Sequence, residues 1–526
     1  MMLNATFLSA FVGVALVLLL PERFAKLSRW IALVASVVGF ACAVTAFFAY
    51  DQSASAPHFE SVTLNASFTY DQSPPAPHFQ FVTLKPWIPA LGISFLTAAD
   101  GISLSLLVLT GIIAIAGVLF SWNVAFRQRA FFAFYLLIIA GVYGVFQSFD
   151  IFLLFVFYEI VIIPKYFLIA TWGSTNREYG AMKLTIYSVA GSALVLLAMV
   201  ATYVASGAMT MNLFVLAGHG TTFFSPAFQS WAFPVMFLGF AVLAGIWPFH
   251  TWAPTGHVAA PTAVSMLLAG VVMKLGSYSA LRVAMTLFPQ GLDQWRMPIA
   301  ILATVGILYG ALVALAQKDL KFVVGYSSIN HMGFVLLGLV TLNTIGLSGA
   351  VLQMFSHGII GGLLFAVVGR MIYDRTHTRD IGQLSTMRLA KALPFAALTF
   401  TVASVASMGL PGFSGFIAEF TILGGAWKSF PLLLLPAGIG VVVTVGFTLR
   451  AWQRTFFADA TQAAAHTGAH AHEPFAPISL PEKLGAILLM AATLGVGLYP
   501  KVLLDPIVHS FGSPLMQTLI REVVAK

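Results

Sequence analysis

Apolar stretches of about 20 residues recur along almost the whole chain, separated by short polar connections. A helix of that length crosses a hydrocarbon core about 30 Å thick, because it rises about 1.5 Å per residue. The pattern therefore predicts an all-α polytopic membrane protein with about fourteen transmembrane helices. Their approximate ranges are 4–20, 31–49, 102–122, 130–148, 151–171, 182–205, 230–248, 260–284, 298–317, 322–342, 347–372, 394–426, 431–450 and 485–504. We expect the first of these to be a retained span and not a cleaved signal peptide.

Two of the predicted spans contain residues that interrupt a helix. The seventh ends in Pro248-Phe-His-Thr-Trp-Ala-Pro-Thr-Gly-His257, and the twelfth, too long for one simple span, contains Leu410-Pro-Gly-Phe-Ser-Gly415. Proline removes a backbone donor and clashes with the preceding turn. The freed backbone groups are tolerated at membrane depth only where protein or a polar cavity satisfies them. We predict that helices 7 and 12 are broken within the membrane.

The composition excludes a soluble protein. Of the 526 residues 59% are hydrophobic and 8% are charged, and the mean hydropathy is +0.92. A soluble surface needs far more charge. The single cysteine, Cys42, excludes a disulfide framework and a thiolate cluster for zinc or iron–sulfur. The net charge of +8 is spread over short loops, so we predict a membrane orientation signal and no nucleic-acid partner.

The lysines and arginines at the ends of the spans and between them lie mostly on one side of the predicted array. The connections after spans 1, 3, 5, 9, 11 and 13 carry Arg23, Lys26, Arg29, Arg127, Arg129, Arg177, Lys183, Lys318, Lys321, Arg370, Arg375, Arg379, Arg388, Lys391, Arg450, Arg454 and Lys483. The opposite side carries Lys85, Arg282, Arg296, Lys428, Lys501, Arg521 and Lys526. Basic loops stay in the cytoplasm, so both termini are predicted to be extracytoplasmic.

Two connections have unusual sequences. Residues 50–64 recur as residues 70–84, a tandem duplication that we interpret as a tolerated insertion in an exposed extracytoplasmic loop. The stretch 461–473 holds His466, His470 and His472 among alanines and glycines. Metal binding is conceivable there, but a disordered cytoplasmic loop is the preferred interpretation.

Three ionisable residues lie deep within apolar spans: Glu159 in span 5, Lys274 in span 8 and Glu419 after the break in span 12. Such residues cost about 2.5–3.5 kcal/mol each at a helix centre, so they usually serve ion or proton movement. Burial favours the neutral form of each, and proton exchange then follows when a neighbouring charge changes. Lys165 lies about 120° around the helix from Glu159 and nearer the basic side. We therefore expect Lys165 to extend to the cytoplasmic interface.

Four histidines accompany these charges. His331 and His357 fall at mid-depth in spans 10 and 11, with serines and an asparagine beside them. Histidine relays protons at physiological pH, so the pair predicts a hydrated polar track, although a packing hydrogen bond is the alternative for each. His250 and His257 flank the break of span 7, in a polar loop that enters the protein. Neither has a convincing set of metal ligands around it.

These residues stand in strings that resemble the antiporter-like subunits of respiratory complex I, in particular subunit M, called chain 4 in some organisms. The strings are FYEIVIIPKYFLIATWG, PFHTWAPTGHVAAPTAVSMLLAGVVMKLG, DLKFVVGYSSINHMGFVLLGL, YDRTHTRDIGQL and LPGFSGFIAEF. The resemblance runs from about Trp87 to Leu504. It implies two inverted five-helix repeats and a chain of buried charges across the membrane midplane.

The resemblance assigns a role to each residue. It implies that Glu159 couples to the neighbouring subunit, that Lys274 is the central lysine, that His331 and His357 are the central histidines, and that Glu419 is the outlet acid. Lys165, His250 and His257 are possible auxiliary residues. One departure stands out, because the family carries a lysine in the seventh helix where this chain has Leu243. Glu159 therefore lacks its expected partner.

We accordingly expect four regions: residues 1–101 with two spans and the duplicated loop, two antiporter-like halves at 102–285 and 286–455, and residues 456–526 with the histidine loop and last span. The expected function is that of a membrane-arm subunit of a proton-translocating NADH:quinone oxidoreductase in the bacterial inner membrane, flanked laterally by other membrane subunits. No cofactor is expected in this chain, whereas the complex would use NADH, flavin, iron–sulfur clusters and quinone. The alternatives are a multisubunit cation/proton antiporter, a membrane-bound hydrogenase, or a non-pumping complex I paralogue.

Overall fold

The computed structural model describes residues 2–52, 78–458 and 475–520. Its helices, with short helical turns left unnumbered, are α1 Ala5–Leu19, α2 Ser28–Ala49, α3 Gly101–Phe120, α4 Gln128–Gln147, α5 Ile151–Trp172, α6 Arg177–Ser206, α7 Pro226–Ala244, α8 Trp252–Ala259, α9 Thr262–Met285, α10 Pro289–Ala316, α11 Leu320–Leu339, α12 Thr344–Thr376, α13 Pro394–Ser407, α14 Ser414–Ser429, α15 Pro431–Phe456, α16 Leu480–Leu498 and α17 Lys501–Phe511. An antiparallel hairpin, β1 Gln80–Ile88 and β2 Ile93–Ala99, lies between α2 and α3.

The helices coincide with the predicted apolar ranges. Within the described residues, 12 helices are long and apolar enough to cross a membrane. The first predicted span is a helix of only 15 residues, α1. The twelfth is divided into α13 and α14, with 14 and 16 residues. The prediction of a helical polytopic membrane protein is confirmed, whereas the total of fourteen spans and the two inverted repeats stay predictions.

Both predicted helix breaks are present. Helix α7 ends at Ala244, where Gly245 takes a left-handed φ of 86°, and α8 begins at Trp252. The Trp252 indole Nε1 donates to the Val242 carbonyl at 2.8 Å, which satisfies a backbone acceptor near the end of α7. The second break separates α13 from α14 and contains Gly412 at φ 95°. Glycine suits that backbone conformation because it has no Cβ.

Several central helices begin at an acidic or amide side chain that caps the first turn. Asp150 accepts from the backbone N–H groups of Phe152 and Leu153 at the start of α5. Asp319 accepts in the same way from Lys321 at the start of α11. Such caps satisfy backbone donors that have no partner within the helix. They fix where each span begins, and hence the depth of the residues that follow.

Helices α9 and α12 form the centre of the molecule. In each, every residue of the most apolar window is buried, whereas only 28% of that window is buried in the peripheral helix α15. Both central helices contain wider, π-helical turns: Leu268–Val272 and Ala280–Met285 in α9, and Val367–Tyr373 in α12. Turns of this kind are uncommon and are found mostly at functional sites. Lys274 and His357 lie on these two helices.

The connection between α2 and α3 contains structure that the sequence pattern did not predict. The hairpin β1–β2 occupies residues that we expected to be loop, so the described chain is mainly but not entirely helical. Hydrogen bonds connect the chain on both sides of residues 53–77. Asp51 N–H donates to Gln80 Oε1 at 3.1 Å, and Gln80 Nε2 donates to the Asp51 carbonyl at 2.7 Å. Most of the duplication, and His466, His470 and His472, lie outside the described residues.

Candidate functional site

Lys274 lies in the middle of α9, fully buried, between the two π-helical segments. Its Nζ is 2.7 Å from Nδ1 of His357 in α12, and it also donates to the Ala269 carbonyl. Within the described residues, no ion pair includes Lys274. Its partners are therefore a histidine and a carbonyl, neither of which carries a permanent negative charge.

The contacts continue from Lys274 to the acid beyond the second helix break. The rings of His357 and His331 have centroids 5.5 Å apart. His331 Nδ1 lies 2.9 Å from Glu419 Oε1, and His331 Nε2 lies 3.2 Å from Ser407 Oγ. Lys274, His357, His331 and Glu419 are all at least 94% buried, so a chain of ionisable side chains runs through the protein interior. The structure thus brings together four of the five residues predicted to carry protons.

The sequence analysis did not predict two polar residues that contact this buried series of side chains. Gln353 Nε2 donates to Glu419 Oε1 at 3.2 Å and lies 3.4 Å from His331 Nδ1. Gln353 could have been predicted from the sequence, because it precedes His357 by four residues and therefore lies on the same face of the helix. Ser407, at the end of α13, had no such signal, because its contact with His331 depends on how the broken helix packs. The predicted neighbour Asn330 instead donates to the Ile307 carbonyl, a helix-packing bond.

Glu159 does not belong to the buried series of ionisable side chains. It lies on α5 and is partly exposed. One carboxyl oxygen, Oε1, is enclosed and has no hydrogen-bond partner. The prediction for Lys165 is wrong. Its side chain does not extend to the interface but is fully buried, with Nζ 3.4 Å from Ser188 Oγ of α6. The angular argument failed because it considered α5 alone, whereas α6 covers the side on which Lys165 lies.

The auxiliary histidines both lie inside the protein. His250 is in the break between α7 and α8, with its ring centroid 4.9 Å from that of Tyr309. His257, in α8, is fully buried and stacks on Phe365 of α12 at 4.5 Å. All four ring nitrogens of the two residues lack a hydrogen-bond partner in the structure. Buried imidazoles without partners are unusual and fit a relay role.

A cavity of about 250 Å³ lies at the end of the molecule that carries the basic connections. Its walls include Lys321, the Arg370–Asp374 ion pair and the chain between α8 and α9. Lys321 was assigned to a surface connection, which is wrong, because it is 3% exposed in the first turn of α11. Its Nζ donates to the Ala260 carbonyl at 2.8 Å. It also lies 3.4 Å from the carbonyl of Val258, the residue that follows His257.

Arg282, which we counted among the charges of the less basic side, is a second basic residue that lies inside the protein. It is 1% exposed near the end of α9 and pairs with Asp100, the cap of α3. A guanidinium keeps its charge in proteins, so Arg282 with its fixed carboxylate is a structural pair and not a proton relay. Hydropathy could not reveal this, because an arginine near a helix end is equally compatible with an exposed position.

Among residues 2–52, 78–458 and 475–520, no group of three or more histidine, cysteine, aspartate or glutamate side chains could hold a metal ion. What the arrangement offers is a series of groups that alternately donate and accept protons. The amine of Lys274, the imidazoles of His357 and His331, and the carboxyl of Glu419 each have two protonation states. Proton transfer between them needs no cofactor, only a change in their relative charge.

This fold and site define an antiporter-like membrane subunit, with broken helices and a buried ionisable chain. Residues 148–447, more than half of the chain, match the family described as "NADH:quinone oxidoreductase/Mrp antiporter, TM". The chain belongs to this family.

Similar proteins cover nearly the whole chain. NAD(P)H-quinone oxidoreductase chain 4 of Gloeobacter violaceus is 36% identical over 426 residues, which are 80% of this chain and 79% of that protein. NADH-quinone oxidoreductase subunit M of Rhodobacter capsulatus is 34% identical over 488 residues, 91% and 88% of the two chains. A chain of the respiratory complex I of Thermus thermophilus with bound NADH superposes with a TM-score of 0.82, 26% identity and coverage of 99% and 100%.

Proposed function

We propose that this chain is a membrane-arm subunit of an NADH:quinone oxidoreductase and conducts protons across the bilayer. The observation that carries the proposal is the buried series from Lys274 through His357 and His331 to Glu419, with contacts of 2.7 and 2.9 Å at its two ends. The names of the relatives supply the enzyme to which such a subunit belongs. Quinone reduction takes place elsewhere in that complex, and this subunit responds to it through charge.

The proton enters from the cavity on the basic, cytoplasmic side. Lys321 lines the cavity, and His257 is the relay from there to Lys274 in this proposal, because Lys321 contacts the carbonyl of Val258 next to it and the charges of both lysines act on it. The amine of Lys274 then passes a proton to Nδ1 of His357, which it already contacts. The imidazoles of His357 and His331, whose ring centroids are 5.5 Å apart, then carry the proton from α12 to α11.

Release begins at His331, whose Nδ1 contacts the carboxyl of Glu419. Glu419 follows the break between α13 and α14, where the interrupted backbone offers a polar exit to the outside. Glu159, on the partly exposed side of α5, is the residue that senses the neighbouring subunit. A change of charge next to Glu159 shifts the proton affinity of the interior groups and so drives one proton along the series.

The remaining assignments follow from this role. The partners are other membrane subunits that flank the chain laterally, and the membrane is the bacterial inner membrane with both termini outside. NAD(P)H and quinone are substrates of the whole complex, and flavin and iron–sulfur clusters are its redox groups; this chain supplies only the proton path. A cation/proton antiporter or hydrogenase subunit is not favoured, because the relatives that match this chain over most of their length are named as subunits of quinone oxidoreductases. A non-pumping paralogue, suggested by Leu243, is the remaining alternative.

The experiment is to purify the native complex, reconstitute it in lipid vesicles and measure protons moved per NADH oxidised. Lys274→Ala is expected to lower this ratio while the subunit still assembles. Lys501→Ala, at the exposed start of α17, is the matched control and is expected to change nothing. If the complex with Lys274→Ala pumps as well as the wild type, Lys274 is structural and the proposed path is wrong.

A further inference from the structure

Glu159 has no bonded cation in the part of the chain that the structure describes. None of the ion pairs within 4 Å includes it, and its Oε1 lies enclosed without a hydrogen bond. Ser192 of α6 faces the carboxyl, but its hydroxyl donates to the Val189 carbonyl at 3.1 Å. A carboxylate at membrane depth is costly unless a positive charge is close by.

The nearest source of that charge is on the same helix. Lys165 is fully buried, and its charge and that of Glu159 attract each other. Six residues separate them, about 9 Å along the axis. Both side chains nevertheless turn toward α6. Lys165 contacts Ser188 and Glu159 faces Ser192, two positions that are one helical turn apart on the same face of α6.

Helix α7, which packs on the same region, contributes no charge. The ring of Tyr158 in α5 lies 5.9 Å from that of Phe240 in α7. Leu243 follows Phe240 by three residues, about one turn closer to the break, and is 3% exposed. Leu243, where the resemblance leads us to expect a lysine, is thus apolar and buried, and among the described residues the cation whose charge acts on Glu159 is Lys165 of α5.

We propose that Lys165 is the counter-ion of Glu159 and that the two form the charge-sensing pair of this subunit. The inference rests on the proposed function, because it assigns the element through which Glu159 influences the interior groups. A charge brought next to the exposed side of Glu159 weakens or strengthens its attraction to Lys165. The positive charge of Lys165 is then neutralised less or more completely by Glu159. Its repulsion of a proton on Lys274 rises or falls accordingly, which alters the proton affinity of Lys274. Lys165 acts through other groups and is a positioning residue.

The test uses the intact complex in vesicles and compares variants at positions 165 and 243. Lys165→Met keeps a flexible chain of similar volume but removes the charge, and is expected to lower the proton-to-electron ratio. Lys165→Arg keeps the charge and is expected to pump better than Lys165→Met. The decisive variant is Lys165→Met with Leu243→Lys, which moves the cation from α5 to α7 and is expected to restore part of the lost ratio. Lys501→Met is the matched control.

A double-mutant comparison with Glu159→Gln tests the pairing itself. Lys165→Met is expected to cause no further loss when Glu159 is already neutral, whereas independent roles give losses that multiply. The inference is overturned if Lys165→Met pumps normally, if its loss multiplies with that of Glu159→Gln, or if neither Lys165→Arg nor the relocated lysine restores any activity. These results leave the proposed function intact as long as Lys274→Ala still lowers the proton-to-electron ratio. Normal pumping by Lys274→Ala instead removes the proposed function.

Discussion

Two buried cations in α9 have very different surroundings. Arg282 is held by the carboxylate of Asp100, whereas Lys274 contacts only the imidazole of His357 and a backbone carbonyl. A buried ion pair fixes both of its charges, because separating them leaves an uncompensated charge in a medium of low dielectric constant. An amine beside neutral groups has no such constraint and exchanges its proton when the local charge changes. The same helix therefore carries one anchor and one exchangeable group.

In the proposed path, His331 connects His357 to Glu419. It contacts Glu419 through Nδ1 and Ser407 through Nε2. His331→Leu removes the relay and leaves Glu419 with only the amide of Gln353 among the contacts described here. Leucine can neither accept nor release a proton, so proton transfer to Glu419 is expected to slow by about tenfold or more, which corresponds to at least about 1.4 kcal/mol in the barrier. The expected measurement is a reduced proton-to-electron ratio in vesicles.

The control for this substitution is His219→Leu. His219 lies on a short helical turn between α6 and α7, and its Nδ1 contacts a carbonyl of the same turn, that of Val215. The ratio is expected to remain that of the wild type for this variant. Equal losses for the two substitutions would mean that general damage to folding, and not the relay, lowers pumping in His331→Leu.

At the scale of elements, the short distance between Lys274 and His357 depends on the close approach of α9 and α12. A Cβ added at Gly358 would lie 2.6 Å from the Gly270 carbonyl of α9 and 2.8 Å from the side chain of Leu109. Real Cβ atoms do not approach other atoms so closely, so the two helices can pack this tightly only with glycine at position 358. The residue after His357 thus sets the distance over which the proton moves.

Gly358→Val is expected to push α12 away from α9 and lengthen the contact between Lys274 and His357. Overpacking of a tight helix contact costs about 1–3 kcal/mol, so the subunit is expected to fold with a lower melting temperature. Pumping is expected to fall more than NADH oxidation does, although every ionisable residue is still present. Gly438→Val in α15 is the matched control, because a Cβ there meets nothing within 4 Å. A variant of Gly358 that melts lower but pumps normally would contradict this argument.

The sequence alone predicts those elements whose causes are local. Apolar length located the spans, and proline with glycine located both breaks, because these effects act within one helix. The hairpin β1–β2 was missed, because its pairing joins two short segments, neither of which is long enough to be recognised by apolar length. The depth of Lys165, Lys321 and Arg282 was also missed. Whether a long basic side chain reaches water or turns inward depends on the neighbouring helices, which composition does not specify.

At the scale of the whole molecule, the basic connections and the cavity lie at the same end of the spans. The cavity beside Lys321 lies among connections rich in lysine and arginine, and the Arg370–Glu482 and Arg375–Glu482 ion pairs lie close by, with contacts of 2.9 and 2.8 Å. The hairpin and the short helix α17 lie at the other end of the spans, which carries few basic residues. If basic loops stay in the cytoplasm, the cavity is the entrance of the proton path and Glu419 leads to its exit.

Labelling of single cysteines tests this orientation in the intact membrane. Cys42→Ala provides a background without thiols, because Cys42 is the single cysteine of the chain. Lys391→Cys lies in an exposed turn on the basic side, and Lys501→Cys is exposed at the start of α17 on the opposite side. A maleimide that cannot cross the membrane is expected to label position 501 from outside intact cells, and position 391 only in inverted vesicles. The reverse pattern would place the cavity outside, and the direction of proton movement along Lys274, His331 and Glu419 would have to be inverted with it.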